Sequence, residues 1–315
     1  MPNNPFPTSP HASACAPQDA ALARQARRLA HLPEAPWLYA EVAARLAAKL
    51  DPILLTPATW IDWGGFLGAG GVLVQARYPQ AQRWIVEPTL ALQQRSQMAS
   101  DQATRPSWRT LWRRASQQVW CAQDLTGAPW LPNGADMLWA NMALHAHANL
   151  PALVAKWHQQ LAIGGFLMCS GLGPDTAREL RTLYGELGWP MPTINFIDMH
   201  DLGDELVQAG FSDPVMDMET LTLTWATPQA MLDELRSWGG NVAGGRHVGL
   251  RTPRWRDRLM GHLSDKLMRP DGRLGLTIEL IYGHAIKPEP RHKVAPETRV
   301  SLQDMKRMIH KPGKP

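Results

Sequence analysis

The chain has 315 residues, 44% of them hydrophobic, and 32 lysines and arginines against 28 aspartates and glutamates give a net charge of +4. That length buries a substantial core in one large domain or a domain with an appendage, and so mild and dispersed a positive balance gives no argument for nucleic acid or membrane binding. No run approaches the roughly 20 apolar residues of a membrane span, and the first twenty residues lack the basic start and apolar centre of a signal peptide, so the expected location is the cytoplasm.

Cys15, Cys121 and Cys169 are widely spaced and odd in number, which reads as ordinary reduced thiols with no metal or redox role. Fourteen tryptophans outnumber five phenylalanines and four tyrosines, and Trp60, Trp84, Trp120 and Trp139 sit in apolar runs, so core packing is their expected use.

Residues 1–18 are rich in Pro, Ser and Ala and read as a disordered leader. From Ala20 to Leu50 apolar residues recur at spacings of three and four, broken at Pro33 and Pro36, which predicts two helices. The run ending at Asp62 is a first strand, and it passes directly into the glycine-rich stretch Gly64–Gly71. Glycine accepts positive φ and has no Cβ to hold a ligand off the backbone, so this is a candidate ligand-cradling turn. Val72–Arg77 is a short helix, Trp84–Val86 a second strand ending in the acid Glu87, and 89–98 a second wrapping helix. An acid at that strand tip is where α/β nucleotide sites hold ribose hydroxyls. Residues 99–116 carry no clear pattern. Gln118–Ala122 and Asp136–Ala140 are the third and fourth strands, Leu150–Leu161 is an amphipathic helix, 162–165 a turn and Phe166–Ser170 a fifth strand. Such alternation predicts a mostly parallel sheet covered by helices on both faces. A strand at Leu221–Trp225, a helix at Pro228–Trp238, a Gly- and Arg-rich loop with helix over the ligand-bearing edge, and a strand at Leu276–Tyr282 complete the domain. The tail from Lys287 is basic and is expected to be mobile.

Several segments carry a more specific resemblance: SGLGPDTARELR at 170–181, FIDMHDLGDELVQAGFSDPVMDMETLTLTW at 196–225, LRSWGGN at 235–241 and ELIYGHAIKP at 279–288. Together with the glycine turn, they make the chain resemble class I S-adenosylmethionine-dependent methyltransferases, and more narrowly the malonyl-acyl-carrier-protein O-methyltransferases of biotin synthesis. The resemblance spans about Arg24–Pro288. It implies an α/β, Rossmann-like fold with a mostly parallel seven-stranded sheet, helices on both faces and an antiparallel C-terminal strand. The implied organisation is a leader at 1–18, a methyltransferase domain at 19–288 with two N-terminal helices and a cap at about 226–275, and a flexible tail at 289–315.

The implied cofactor is S-adenosylmethionine, held by Asp62, Gly64, Gly68, Glu87, Gln123, Asp124 and Asn141. Where the family pattern has its middle glycine, this chain has Phe66, a benzyl group expected to block or weaken contact with the methionine moiety. Tyr39, Asn141 and His145 are candidates for positioning the reactants, with Trp37 and Tyr39 as an aromatic lid. His145 and His147 do not share a helix face, and no metal site is expected. Methylation of a carboxylate needs no general base, so the absence of a nucleophile–base constellation does not count against it. Arg178, Arg246 and Arg251 are candidates for holding the acceptor, with Arg181 and Arg254 also available, and the implied partner is an acyl carrier protein bearing a malonyl group. Two other readings stay open: a pseudo-methyltransferase acting as a binding or regulatory module, and a protein-modifying relative of the complex I assembly factor.

Overall fold

The computed structural model describes residues 16–103, 119–122 and 131–290. The apolar repeats near the start fold as α1 (Asp19–Leu29) and α2 (Trp37–Ala48), and the break between them falls at the two prolines. Next come β1 (Thr59–Trp63), a single helical turn α3 (Gly65–Gly68), α4 (Gly71–Arg77), β2 (Gln82–Glu87), α5 (Leu90–Ala103) and β3 (Val119–Cys121). The second half holds β4 (Ala135–Ala140), α6 (Leu150–Gln160), β5 (Leu161–Leu172), α7 (Arg178–Glu186), α8 (Met199–Gln208) and β6 (Ser212–Trp225). It ends with α9 (Pro228–Ser237), α10 (Pro253–Leu267) and β7 (Leu274–Ile286).

The seven strands form one sheet in the order β3-β2-β1-β4-β5-β7-β6. The pairs β1–β2, β1–β4, β2–β3 and β4–β5 are parallel, whereas β7 runs antiparallel to both β5 and β6. Successive side chains on a strand face opposite ways, so each strand feeds two cores. On β4, Met137 and Trp139 join one face with α2, α7 and α10, while Leu138 and Ala140 join the other with α6 and α8. Trp60, Trp139 and Trp157 are fully buried, but Trp120, on edge strand β3, is 36% exposed and does not serve the core as expected.

Two elements differ from the pattern read in sequence. Residues 162–165 are part of β5 rather than a turn; the register with β4 shifts between Ala135 and Met137, so the glycines sit in a bulge. β6 begins at Ser212, nine residues before the expected strand, because its first half is a half-exposed edge carrying Asp213, Asp217 and Glu219. Residues 16–18 lie against the fold: Gln18 N donates to Val242 O, Gly244 N donates to Ala16 O, and Pro17 and Ala243 form an antiparallel bridge. Among the described residues no helix is long and apolar enough to cross a membrane.

Candidate active site

The order in which strands are added reverses between β1 and β4, and in an open parallel sheet that switch point leaves a crevice at the carboxyl ends of the strands. Gly64 enters the turn after β1 with φ 73° and donates its N–H to Val86 O at 2.7 Å. The expected open glycine loop is then closed by Gly68 N donating back to Gly64 O at 2.7 Å, which makes α3 a helical turn.

Asp62 lies fully buried under this turn. Its Oδ2 accepts from Arg83 Nε at 3.0 Å and Nη2 at 2.5 Å. Burial raises the Asp62 carboxyl above its ordinary range, and the Arg83 guanidinium opposes that rise. A Cβ on Gly71 would collide with the same guanidinium, so the tight packing of the turn over Arg83 depends on glycine there. Asp62, the expected ligand acid, is thus ion-paired through Oδ2, while its Oδ1 is buried without a partner.

Glu87, at the tip of β2, is also fully buried. Its Oε1 accepts from Phe66 N at 2.8 Å and Ser96 Oγ at 2.6 Å, while Oε2 has no partner. Burial pushes this carboxyl up to about 7, against the two hydrogen bonds, which favour the charged form. The Phe66 ring does not occupy the crevice floor. It is partly buried against Ala26, Ala30 and Leu92, and the Arg95 guanidinium lies 4.5 Å from its centroid.

Asn141, just after β4, is a structural hub. Its Nδ2 donates to Tyr39 O at 2.8 Å and Gly68 O at 2.7 Å, and its Oδ1 accepts from Ser170 Oγ at 2.7 Å. Gly64, Gly68 and Asn141 line a cavity of about 50 Å³ that Gln25, Leu29 and Leu92 close from above. Gln123 and Asp124 lie outside the described residues.

A second cavity of about 410 Å³ opens on the other side of Tyr39. Its walls are mainly apolar, with Leu172, Ile194, Phe196, Trp238 and Ile278 prominent, and Arg246 and Arg251 line it too. Tyr39 and Gln25 border both cavities. Tyr39 Oη is 3.0 Å from His145 Nε2 and donates to Trp238 O at 3.2 Å. Burial raises the Tyr39 hydroxyl well above its usual range and lowers His145 to about 4, so near neutral pH both are uncharged. His145 Nδ1 is buried without a partner.

The three expected acceptor residues fare differently. Arg246 and Arg251 reach the large cavity, but Arg178 does not: it is exposed and paired with Asp175 at 2.7 Å, with Glu179 3.6 Å away. Trp37, the other expected lid residue, lines neither cavity; its indole N–H donates to Glu234. Sequence reasoning missed the walls from 190–196 and the end of α9. The prolines at 190 and 192 and the exposed-looking Trp238 were the available signals. Among the described residues no group of three His, Cys, Asp or Glu is placed to hold a metal.

The strand order, the single antiparallel β7 and the glycine turn at the switch point define a Rossmann-like class I methyltransferase. Solved structures agree on the fold: the YcgJ protein of Bacillus subtilis matches with a TM-score of 0.52 at 11% identity, over 79% of this chain and 99% of that one. The BH2331 protein of Bacillus halodurans matches at 0.50 and 15% identity, over 79% and 99%. No family model matches the chain. Sequence relatives are much nearer. The malonyl-[acyl-carrier protein] O-methyltransferase of Gallionella capsiferriformans is 39% identical over 81% of this chain and 85% of its own length. Those of Laribacter hongkongensis and Nitrosospira multiformis are 38% and 33% identical, over 85% and 84% of this chain and 89% and 88% of theirs. The chain belongs to the malonyl-[acyl-carrier protein] O-methyltransferase family.

Proposed function

We propose that this chain transfers a methyl group from S-adenosylmethionine to the free carboxylate of a malonyl thioester carried by an acyl carrier protein, at the start of biotin synthesis. The observation that carries the reading is the 410 Å³ cavity with two arginines, separated by Tyr39 from the crevice at the switch point, in a chain whose relatives bear that name. The donor side fits S-adenosylmethionine in kind: Glu87 holds a buried, unpartnered carboxylate oxygen at the strand tip, and Gly64 and Gly68 add no side chain of their own to the crevice. Its 50 Å³ holds one or two waters, so the nucleoside is admitted only when Gln25, Leu29 and Leu92 give way.

When bound, S-adenosylmethionine supplies an electrophilic methyl whose bond electrons leave with the sulfur. The acceptor carboxylate is already ionised at neutral pH, so no residue has to remove a proton. Arg246 and Arg251 hold the anionic end of the acceptor through charged hydrogen bonds. Tyr39 and neutral His145 place a polar but uncharged partition where the two reactants meet, and the apolar walls exclude water from it. The test is methyl transfer from labelled donor to malonyl-acyl carrier protein, with the methyl ester identified by mass spectrometry.

A second reading is favoured by the helical turn at Gly65–Gly68 and the small crevice: a module that keeps the acceptor cavity but no longer takes the donor. Calorimetric titration with S-adenosylmethionine separates the two. Saturable binding supports the enzyme, and no saturation at millimolar donor supports the module.

A further inference from the structure

The mouth of the large cavity carries positive charge without its complement. From residue 246 to 258 the chain leaves the cavity wall as a loop and enters α10, and this stretch holds five arginines against one acid, Asp257. Among the described residues none of the five forms an ion pair, whereas Arg45, Arg83, Arg178 and Arg236 all do. Their contacts are with neutral groups. Arg246 Nη1 donates to Gln18 Oε1 and Ala243 O, Arg251 lies 4.3 Å from the Trp255 ring, Arg256 Nη2 donates to Gln229 Oε1, and Arg258 lies 6.0 Å from the Trp189 ring. Between these charges Val248 and Leu250 are 79% and 99% exposed.

Single exposed arginines and leucines are ordinary. Here several unneutralised guanidinium groups and two bare aliphatic side chains fall within one stretch of chain, 246–258, and two of the arginines, Arg246 and Arg251, also line the cavity. A polyanion such as DNA uses the charges but has little use for Leu250, whereas a folded acidic protein uses both. We propose that the loop at 246–252 and the first turns of α10 are the docking surface for the acidic carrier protein, which there presents its acyl thioester to the cavity. This rests on the carrier-borne acceptor reading above. Arg254, Arg256 and Arg258 meet carboxylates of the partner and speed its capture, while Val248 and Leu250 take its apolar contact.

Two variants test the surface, Arg254→Glu with Arg256→Glu, and Leu250→Ser. Each is titrated with malonyl-acyl carrier protein at low and physiological salt, and assayed on that substrate and on malonyl-pantetheine, which has no carrier. The expected result is at least about a tenfold rise in Kd and KM for the carrier-borne substrate in the charge-reversed variant, strongest at low salt, with malonyl-pantetheine kinetics unchanged. The unchanged small-substrate kinetics also show that the variants fold. Carrier binding equal to that of the native chain overturns the proposal. Retention of a DNA duplex as tight as that of the carrier, lost in the same variant, overturns the choice of a protein partner. If the native chain methylates neither thioester, the activity reading fails, while the carrier titration still decides the surface.

Discussion

Phe66 and Glu87 act through one peptide group. The Phe66 N–H is held by Glu87 Oε1 while the ring points away toward α1 and α5, so replacing the ring removes packing rather than opening the crevice. Phe66→Gly is expected to lower stability by about 2 kcal/mol, on the low side for ring deletions because the ring is only partly buried, and to leave donor affinity unimproved. Thermal unfolding with a parallel donor titration checks both. Glu87 predicts a pH effect of definite sign. Its carboxyl rises from 4.5 to about 7 on folding, so the folded state binds the proton more tightly than the unfolded state. Its contribution to stability is therefore complete below about 4.5 and is lost as pH rises through about 7, a change of about 3 kcal/mol at most. Glu87→Gln keeps the neutral form at all pH values. It should flatten the fall in melting temperature between pH 5 and 8, raising stability near pH 8, while weakening donor binding; a variant that melts with the native pH slope contradicts this.

Among the elements, those read best from sequence are the buried parallel strands, because β1, β2, β4 and the core of β5 show as continuous apolar runs bounded by turn residues. The elements read worst are the ones where tertiary pairing overrides local pattern. The first half of β6 carries Asp213, Asp217 and Glu219 with an exposed Val215 between them because it forms the sheet edge, and the glycines of β5 look like a turn because the irregular pairing with β4 needs them. Of the expected positions, Glu87 stands at its strand tip, and Tyr39, His145, Arg246 and Arg251 line the large cavity; Glu87 and His145 could be placed from the strands before them and the arginines from the glycine-rich loop, whereas Tyr39 rested on the resemblance. The ion pair between Asp62 and Arg83 was not, since nothing in a sequence says that two charges 21 positions apart will meet under a turn. The inward use of Asn141 was equally hidden. That side chain ties α2, α3 and β5 to the end of β4, so Asn141→Ala should remove one hydrogen bond each from Tyr39 O, Gly68 O and the Ser170 hydroxyl and cost about 3 kcal/mol, measurable by denaturant unfolding.

At the scale of the whole molecule, Tyr39 stands between the two cavities, and Gln25 of α1 borders both. Leu29 closes the smaller cavity without touching the larger. Leu29→Ala is therefore expected to raise the rate of donor association several-fold in stopped-flow fluorescence with acceptor affinity unchanged, and an unaltered rate would show that Leu29 is not the barrier. One earlier detail reaches further. Residues 16–18 are stitched to 242–244, Gln18 also accepts from Arg246, and α1 follows at once, so the cover of the donor side and the rim of the acceptor side are one mechanical piece. A ligand that lifts α1 pulls on that rim, which gives the two substrates unequal welcome depending on which arrives first. Thermodynamic linkage then requires that each changes the other's dissociation constant by the same factor, and cutting the Gln18–Arg246 thread with Gln18→Ala should bring that factor toward one.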